Sequence, residues 1–331
     1  DFSRRRRDDR SRGAPSETSS GDRSPRRSPE VCRNVKLGST EIIDTFAEAF
    51  RMRFVRLIIT AHDTFWLEAA VREFTGYASS VIACDAEAGL ERTLTAGETP
   101  DGRPGAAVLV FGFSTEALAK AVPRRTGQCL MTCPSTAVFN GLPIDEESVP
   151  LGKHLRYFGD GFQKSKRLEG RRYWRIPVMD GEFLVEDRLG VGKGVAGGNL
   201  IIQARDECTG LAAARRAVEA VAPLVGVITP FPGGVARSGS KVGSRYPKLI
   251  ASTAETFCPT LRAYCTTALH PAACHAYEIV MDGIDERAIA EAMRAGLHAA
   301  PGEGIVAISA GNYGGKLGKF HFPLRALLAD R

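Results

Sequence analysis

The feature that most constrains the fold of this 331-residue chain is a pattern that it carries twice. From Glu41 it reads EIIDTFAEAF and RFVRLIITAHD, then an amphipathic stretch over 64–75, then SSVIACDAEAG. From Glu182 it reads EFLVEDRLG and GGNLIIQARD, then an amphipathic stretch over 207–221, then VGVITPFPGG. Ile58-Ile59 matches Ile201-Ile202, Asp63 matches Asp206, and Val81-Ile82 matches Val227-Ile228. Each copy therefore predicts strand, helix, strand, ending in a turn rich in Gly, Ala or Pro. A second pair of elements follows in each copy. AAVLVFGF at 106–113 predicts a strand, with a short helix over 115–121 stopped by Pro123. HAYEIVM at 275–281 predicts another, followed by a turn at Asp282-Gly283 and a helix over 285–297 with Asp285 as N-cap. Two βαβ halves per copy predict an α+β fold of two related ferredoxin-like (split βαβ) lobes with antiparallel sheets, divided as 37–180 and 181–331.

The composition, 44% hydrophobic and 25% charged, supplies enough apolar material for such cores. No apolar run of about 18 residues occurs, so no membrane partner is expected. Residues 1–36 hold eleven Lys/Arg and six Asp/Glu, a net of +5 out of the chain's +6, and the remaining body is nearly neutral. This Arg/Ser/Pro-rich tail lacks the apolar surface needed to offset its ordering entropy and reads as disordered. With no apolar core and with six acids it resembles neither a secretory signal nor a transit peptide, so a cytoplasmic location is expected. The eight cysteines show no C-x-x-C spacing and read as reduced thiols; Cys129 and Cys133 are four apart, yet no nearby His or Cys completes a metal site.

Gly192-x-Gly194-x-x-Gly197 has the form of a dinucleotide fingerprint but leads into the apolar run 199–204, a strand rather than the helix whose N-terminus would hold a pyrophosphate. Three glycine-rich turns remain, GVAGGN at 194–199, GGVARSGSKVG at 233–243 and GNYGGKLGK at 311–319. Their backbone N–H groups, the hydroxyls of Ser238 and Ser240, and Arg237, Lys241, Lys316 and Lys319 suit an anionic carrier tail; each also reads simply as a tight turn. The six histidines are scattered, and there is neither an H-E-x-x-H pair nor a G-x-S-x-G elbow. A Cys133 nucleophile has no evident base. Glu278, alone in an apolar strand, has two readings. It is either a desolvated carboxyl with a raised pKa or a residue on the exposed face of an alternating strand.

Nine segments, read in order, resemble the formylmethanofuran:tetrahydromethanopterin formyltransferase family. They are DTFAEAF (44–50), AEAG (86–89), TPDGRPG (99–105), GQCLMTCPSTAVF (127–139), FGDG (158–161), GKGVAGGN (192–199), VITPFPGG (227–234), SGSKVG (238–243) and AGNYGGKLGK (310–319). The resemblance implies two ferredoxin-like lobes, an oligomer and no permanently bound cofactor. It implies reversible passage of a formyl group from methanofuran to N5 of tetrahydromethanopterin, both acting as carrier substrates. It also implies a buried glutamate acting as a carboxylic acid, matched here to Glu278. The carriers are expected to meet Gly197, Gly198, Asn199, Ser238, Ser240, Lys241, Asn312, Tyr313 and Lys316. The near-neutral body departs from very acidic archaeal members and suggests a bacterial setting. There the resemblance implies a hetero-complex with formylmethanofuran hydrolase subunits. A non-catalytic scaffold subunit of that complex is the alternative. A nucleic-acid partner is not expected, because the body is neutral and lacks an aromatic RNP1 run.

Overall fold

In the computed structural model, which describes residues 35–329, the longest strand sets the frame. Residues Phe46–Thr60 (β2) follow the short strand Thr40–Ile42 (β1) and alternate aliphatic and longer side chains, so the strand has two distinct faces. After β2 come helix α1 (Thr64–Thr75), β3 (Glu87–Leu94), β4 (Gly105–Gly112), α2 (Thr115–Arg125) and β5 (Ala137–Asn140). Strands β6 (Lys164–Leu168), β7 (Arg171–Val178) and β8 (Gly181–Glu186) lead to the second copy of the pattern. That copy comprises β9 (Gly192–Ala204), α3 (Glu207–Val221), β10 (Val227–Ile228), β11 (His275–Gly283), α4 (Glu286–Ala299) and β12 (Ile305–Ser309), with β13 (Phe320–Pro323) returning to β2.

The repeat is visible in the helix starts. Asp63 accepts from Trp66 N, Ser114 from Ala117 N, Asp206 from Thr209 N and Asp285 from Ala288 N, so each of the helices α1–α4 opens on a side-chain cap. It is visible also in the strand order. The first lobe runs β5-β2-β4-β3 and the second β12-β9-β11-β10, every pair antiparallel. Helices cover one face of each sheet. Val55, Leu57 and Ile59 pack under α1 and α2, and Leu200, Ile202, Ile279 and Met281 under α3 and α4.

The sheets are not separate. Gly192–Ala196 of β9 pairs with Phe50–Phe54 of β2, and among the described residues fourteen strands form one sheet. The lobes also exchange edges, β1 lying parallel to β12 and β8 parallel to β5. Where they meet, the helix-free faces close on Met52, Phe54, Leu109, Phe111, Ala196 and Ile228. This contact explains two glycines of the rejected fingerprint. A Cβ on Gly192 would lie 2.3 Å from the Phe54 ring, and one on Gly194 would lie 2.9 Å from that of Phe111.

Three local expectations change. Val81-Ile82 is not a strand: Ala83 N and Cys84 N both donate to Ser80 O, forming a turn, and the strand starts at Glu87. Two apolar residues among Ser79, Ser80 and Cys84 are too few to hold an extended segment. Pro123 does not stop α2, which continues to Arg125 and a π turn over Thr126–Leu130. Proline removes one N–H, while Arg125 anchors the continuation by donating to the carbonyls of Phe74, Gly76 and Tyr77. Asp282-Gly283 belongs to β11 rather than to a turn. Of the tail expected over 1–36, residues 1–34 lie outside the described residues, while Val35–Leu37 pairs with β1.

Candidate functional site

Period-2 alternation along β11 sends Tyr277, Ile279 and Met281 toward the helices and Glu278, Val280 and Asp282 toward the opposite face. That face is roofed by the first lobe and by the segment between β10 and β11, leaving a cleft of about 420 Å³. Its walls are mainly apolar. Phe50, Met52 and Phe113 come from the first lobe; Phe231, Phe257 and Val280 come from the second.

Glu278 lines this cleft at 6% exposure. Its Oε1 accepts from Asn199 Nδ2 (2.9 Å) and from Ser240 Oγ (2.7 Å), and its main-chain oxygen accepts from Ala236 N. Burial pushes its carboxyl above the ordinary carboxylate range, although the bonds from Ser240 and Asn199 pull the other way. Each partner is itself held. Asn199 Oδ1 accepts from Gly311 N at 2.8 Å. Tyr313 Oη donates to Ser240 O at 3.3 Å while accepting from Val242 N at 2.9 Å. Asn312 also lines the cleft and donates to Thr45 Oγ1 and Phe46 O. Of the residues expected to meet carriers, Gly197, Asn199, Ser240, Lys241, Asn312 and Tyr313 line the cleft together with Glu278.

The other three do not. Gly198 faces α4, where an added Cβ would meet Ile289 at 2.4 Å. Ser238 is exposed and donates to Gly239 O. Lys316 is exposed outside the lining. The expected anion receptors are also differently employed. Lys241, the one cation in the lining among the described residues, has its ammonium on both oxygens of Glu255 at 2.6 and 2.7 Å. The glycine turn after Gly311 wraps an internal carboxylate, Glu48 of β2. Tyr313 N and Gly315 N donate to its Oε2, and Leu317 N and Gly318 N to its Oε1, at 2.5–2.9 Å. At 2% exposure, burial alone would raise the pKa of Glu48; the four backbone donors lower it below the usual value.

Glu48, Glu87 and Asp282 escaped the sequence reading. Glu48 and Glu87 sit in segments that carried the family resemblance, DTFAEAF and AEAG, but neither motif assigns its acid a partner. Cys133 donates to Trp66 O, and burial raises its thiol pKa, which does not suit a nucleophile.

Two adjoining family models match the chain. Formylmethanofuran-tetrahydromethanopterin formyltransferase covers residues 35–178, and the proximal lobe of the same family covers 181–327. A formylmethanofuran–tetrahydromethanopterin formyltransferase of Methylococcus capsulatus is 53% identical over 297 residues, 88% of this chain and 99% of that protein. A subunit of the formyltransferase/hydrolase complex of Methylorubrum extorquens is 48% identical over 302 residues, 88% of this chain and 97% of that protein. Among solved structures, the Methanosarcina barkeri formyltransferase superposes with a TM-score of 0.83 at 46% identity, covering 88% of this chain and all of that one. The Methylorubrum extorquens complex with methylofuran superposes through one of its subunits with a TM-score of 0.86 at 47% identity, covering 90% of this chain and 100% of that subunit.

Proposed function

Since the chain belongs to the formylmethanofuran–tetrahydromethanopterin formyltransferase family, we infer that it passes a formyl group reversibly from formylmethanofuran to N5 of tetrahydromethanopterin. The observation that carries the site assignment is Glu278, a buried carboxyl whose two side-chain donors both sit on Oε1. The Ser240 N–H also acts on this carboxyl, and we assign the acid's proton to Oε2, the oxygen that takes no side-chain donor, as a hydrogen-bond donor in the cleft.

N5 attacks the formyl carbon, the new C–N bond forms, and the carbonyl electron pair moves onto oxygen. The Oε2–H group of Glu278 donates to that oxyanion, where an apolar site makes a fixed donor most effective. N5 then loses its proton, the methanofuran amine gains one, and the bond from carbon to that amine breaks. Glu278 is placed to relay this proton. With both carriers held side by side, proximity supplies much of the acceleration and no formyl-enzyme is required. Lys241 and the Gly311–Lys319 turn are engaged by Glu255 and Glu48, so the cleft accepts the uncharged reacting ends of the carriers and their anionic tails extend beyond it. We further place the protein in the cytoplasm, as a homo-oligomer within a complex that includes formylmethanofuran hydrolase subunits.

The test is formyl transfer by the full chain, followed by the absorbance of the formylated pterin. Wild-type turnover is expected, and Glu278→Gln, which keeps an N–H donor but cannot relay a proton, should lower kcat by about 10²–10⁴, with little change in KM. Near-wild-type turnover by the variant would remove Glu278 from the proton relay. Absence of wild-type turnover, even with the partner subunits present, would favour a scaffold role.

A further inference from the structure

A second pair of buried acids, unused in the chemistry above, spans the lobes. Glu87 opens β3 in the first lobe, opposite Phe111; Asp282 lies near the end of β11 in the second, opposite Ala196 and Ile228. They are 8% and 0% exposed, and their carboxyls are in hydrogen-bonding contact with each other. Glu87 Oε1 accepts from Val81 N at 3.0 Å. Asp282 Oδ1 accepts from Gly197 N at 3.0 Å, at a β-bulge where Gly197 has φ of +95°.

The remaining oxygen, Asp282 Oδ2, is buried and has no N–H or hydroxyl donor. The one group in contact that can supply a hydrogen is the carboxyl of Glu87. Among the described residues no cation is paired with either acid. Of the charged groups on the surrounding elements, Glu91 is held by Arg56, Asp85 by Arg125 and Arg53 by Glu147. Arg51 and Lys193 are exposed, and β4 and β10 carry no ionisable side chain. Glu278 is four residues along β11, about 13 Å at strand spacing. Two uncompensated carboxylates in such a contact repel strongly, so one proton is retained between them.

We propose that Glu87 and Asp282 form a proton-sharing latch between the lobes that positions two walls of the cleft, Ser80–Ile82 and Gly197, for carrier binding. Ser80, Val81, Ile82, Glu87 and Gly197 all line the cleft, so the latch ties substrate-facing segments of one lobe to those of the other. These are positioning residues, and their role rests on the formyl-transfer reading. Removing the shared proton at alkaline pH leaves Asp282 Oδ2 facing a second carboxylate and releases the tie. Glu87→Gln replaces the titrating donor with a permanent amide N–H, whereas Glu87→Ala removes the tie altogether.

The experiment measures the KM of each carrier against pH for the full chain and the variants Glu87→Gln, Asp282→Asn and Glu87→Ala. Wild-type KM should rise about tenfold on the alkaline side, the effect of losing one hydrogen bond to a charged group. Both amide variants should hold their KM flat over that range, while Glu87→Ala should carry the raised KM at neutral pH. An alkaline rise in the amide variants equal to that of wild type, or an unchanged KM in Glu87→Ala, overturns the latch. Denaturant unfolding against pH gives a readout independent of turnover. Glu87→Gln should remove one proton's worth of the slope by which wild-type stability falls as pH rises above the ordinary carboxylate range. An unchanged slope rejects proton sharing even if no turnover is found, and absent wild-type turnover with the slope removed rejects only the formyl-transfer reading.

Discussion

Glu278 illustrates why residue chemistry depends on surroundings that lie far off in sequence. Its place in an alternating strand put it on the face away from the helices, which is where it lies. Solvent normally meets that face, but here Asn199, 79 positions earlier in the chain, and Ser240, 38 earlier, close over it. The two donors have opposite consequences to burial, and this yields a signed expectation. Ser240 stabilises the carboxylate and lowers the pKa, so Ser240→Ala should raise it further and move the alkaline limb of the kcat profile to higher pH. A limb that stays in place in a pH–rate series would mean that Glu278 does not govern it.

At the scale of the element, the Gly311–Lys319 turn is organised by Glu48 rather than by a ligand. Four N–H groups converge on one buried carboxylate, and the turn in turn sets Tyr313, which holds Ser240. Glu48 has a lowered pKa, so its contribution is fully present above the unfolded value and is lost as pH falls through the folded one. Glu48→Gln should cost about 3 kcal/mol near neutrality and flatten the acid side of the stability curve; urea unfolding at several pH values checks both. An acid limb identical to that of wild type would assign acid lability elsewhere. Gly198 tests the neighbouring strand. Gly198→Ala forces a Cβ against Ile289 and should destabilise by about 1–3 kcal/mol while leaving carrier KM in place. A selective rise in KM would return Gly198 to the binding site.

For the whole molecule, the continuous sheet and the ties across it imply that the lobes unfold together. Besides the carboxyl pair, Glu91 of β3 takes two bonds from Arg56 and one from Gly226 N of the second lobe. Glu91 is almost wholly buried, so Arg56→Ala leaves an unpaired interior charge and should cost about 3–5 kcal/mol. Calorimetry should show one transition moved to lower temperature. Two transitions, of which only one moves, would mean that the lobes are energetically independent.

The duplicated strand–helix pattern with its matched Asp63 and Asp206, the N-cap at Asp285, and the strand character of 199–204 were legible because each follows from residues a few positions apart. The nine ordered segments made the family legible in the same way. Tertiary structure alone decided which apolar pairs become strands, as at Val81-Ile82, and that β2 and β9 fuse the lobes into one sheet. It also decided that Glu48 and Glu255 occupy the donors expected to meet an anion. Glycine turns and lysines look alike whether they receive a substrate or an internal carboxylate, since the partner is named only by a folded contact, 14 positions away for Lys241 and 265–270 for the Gly311–Lys319 turn. Local pattern fixes the backbone's periodicity; burial and charge pairing, which set the chemistry of Glu278, Glu87 and Asp282, exist only once the two lobes meet.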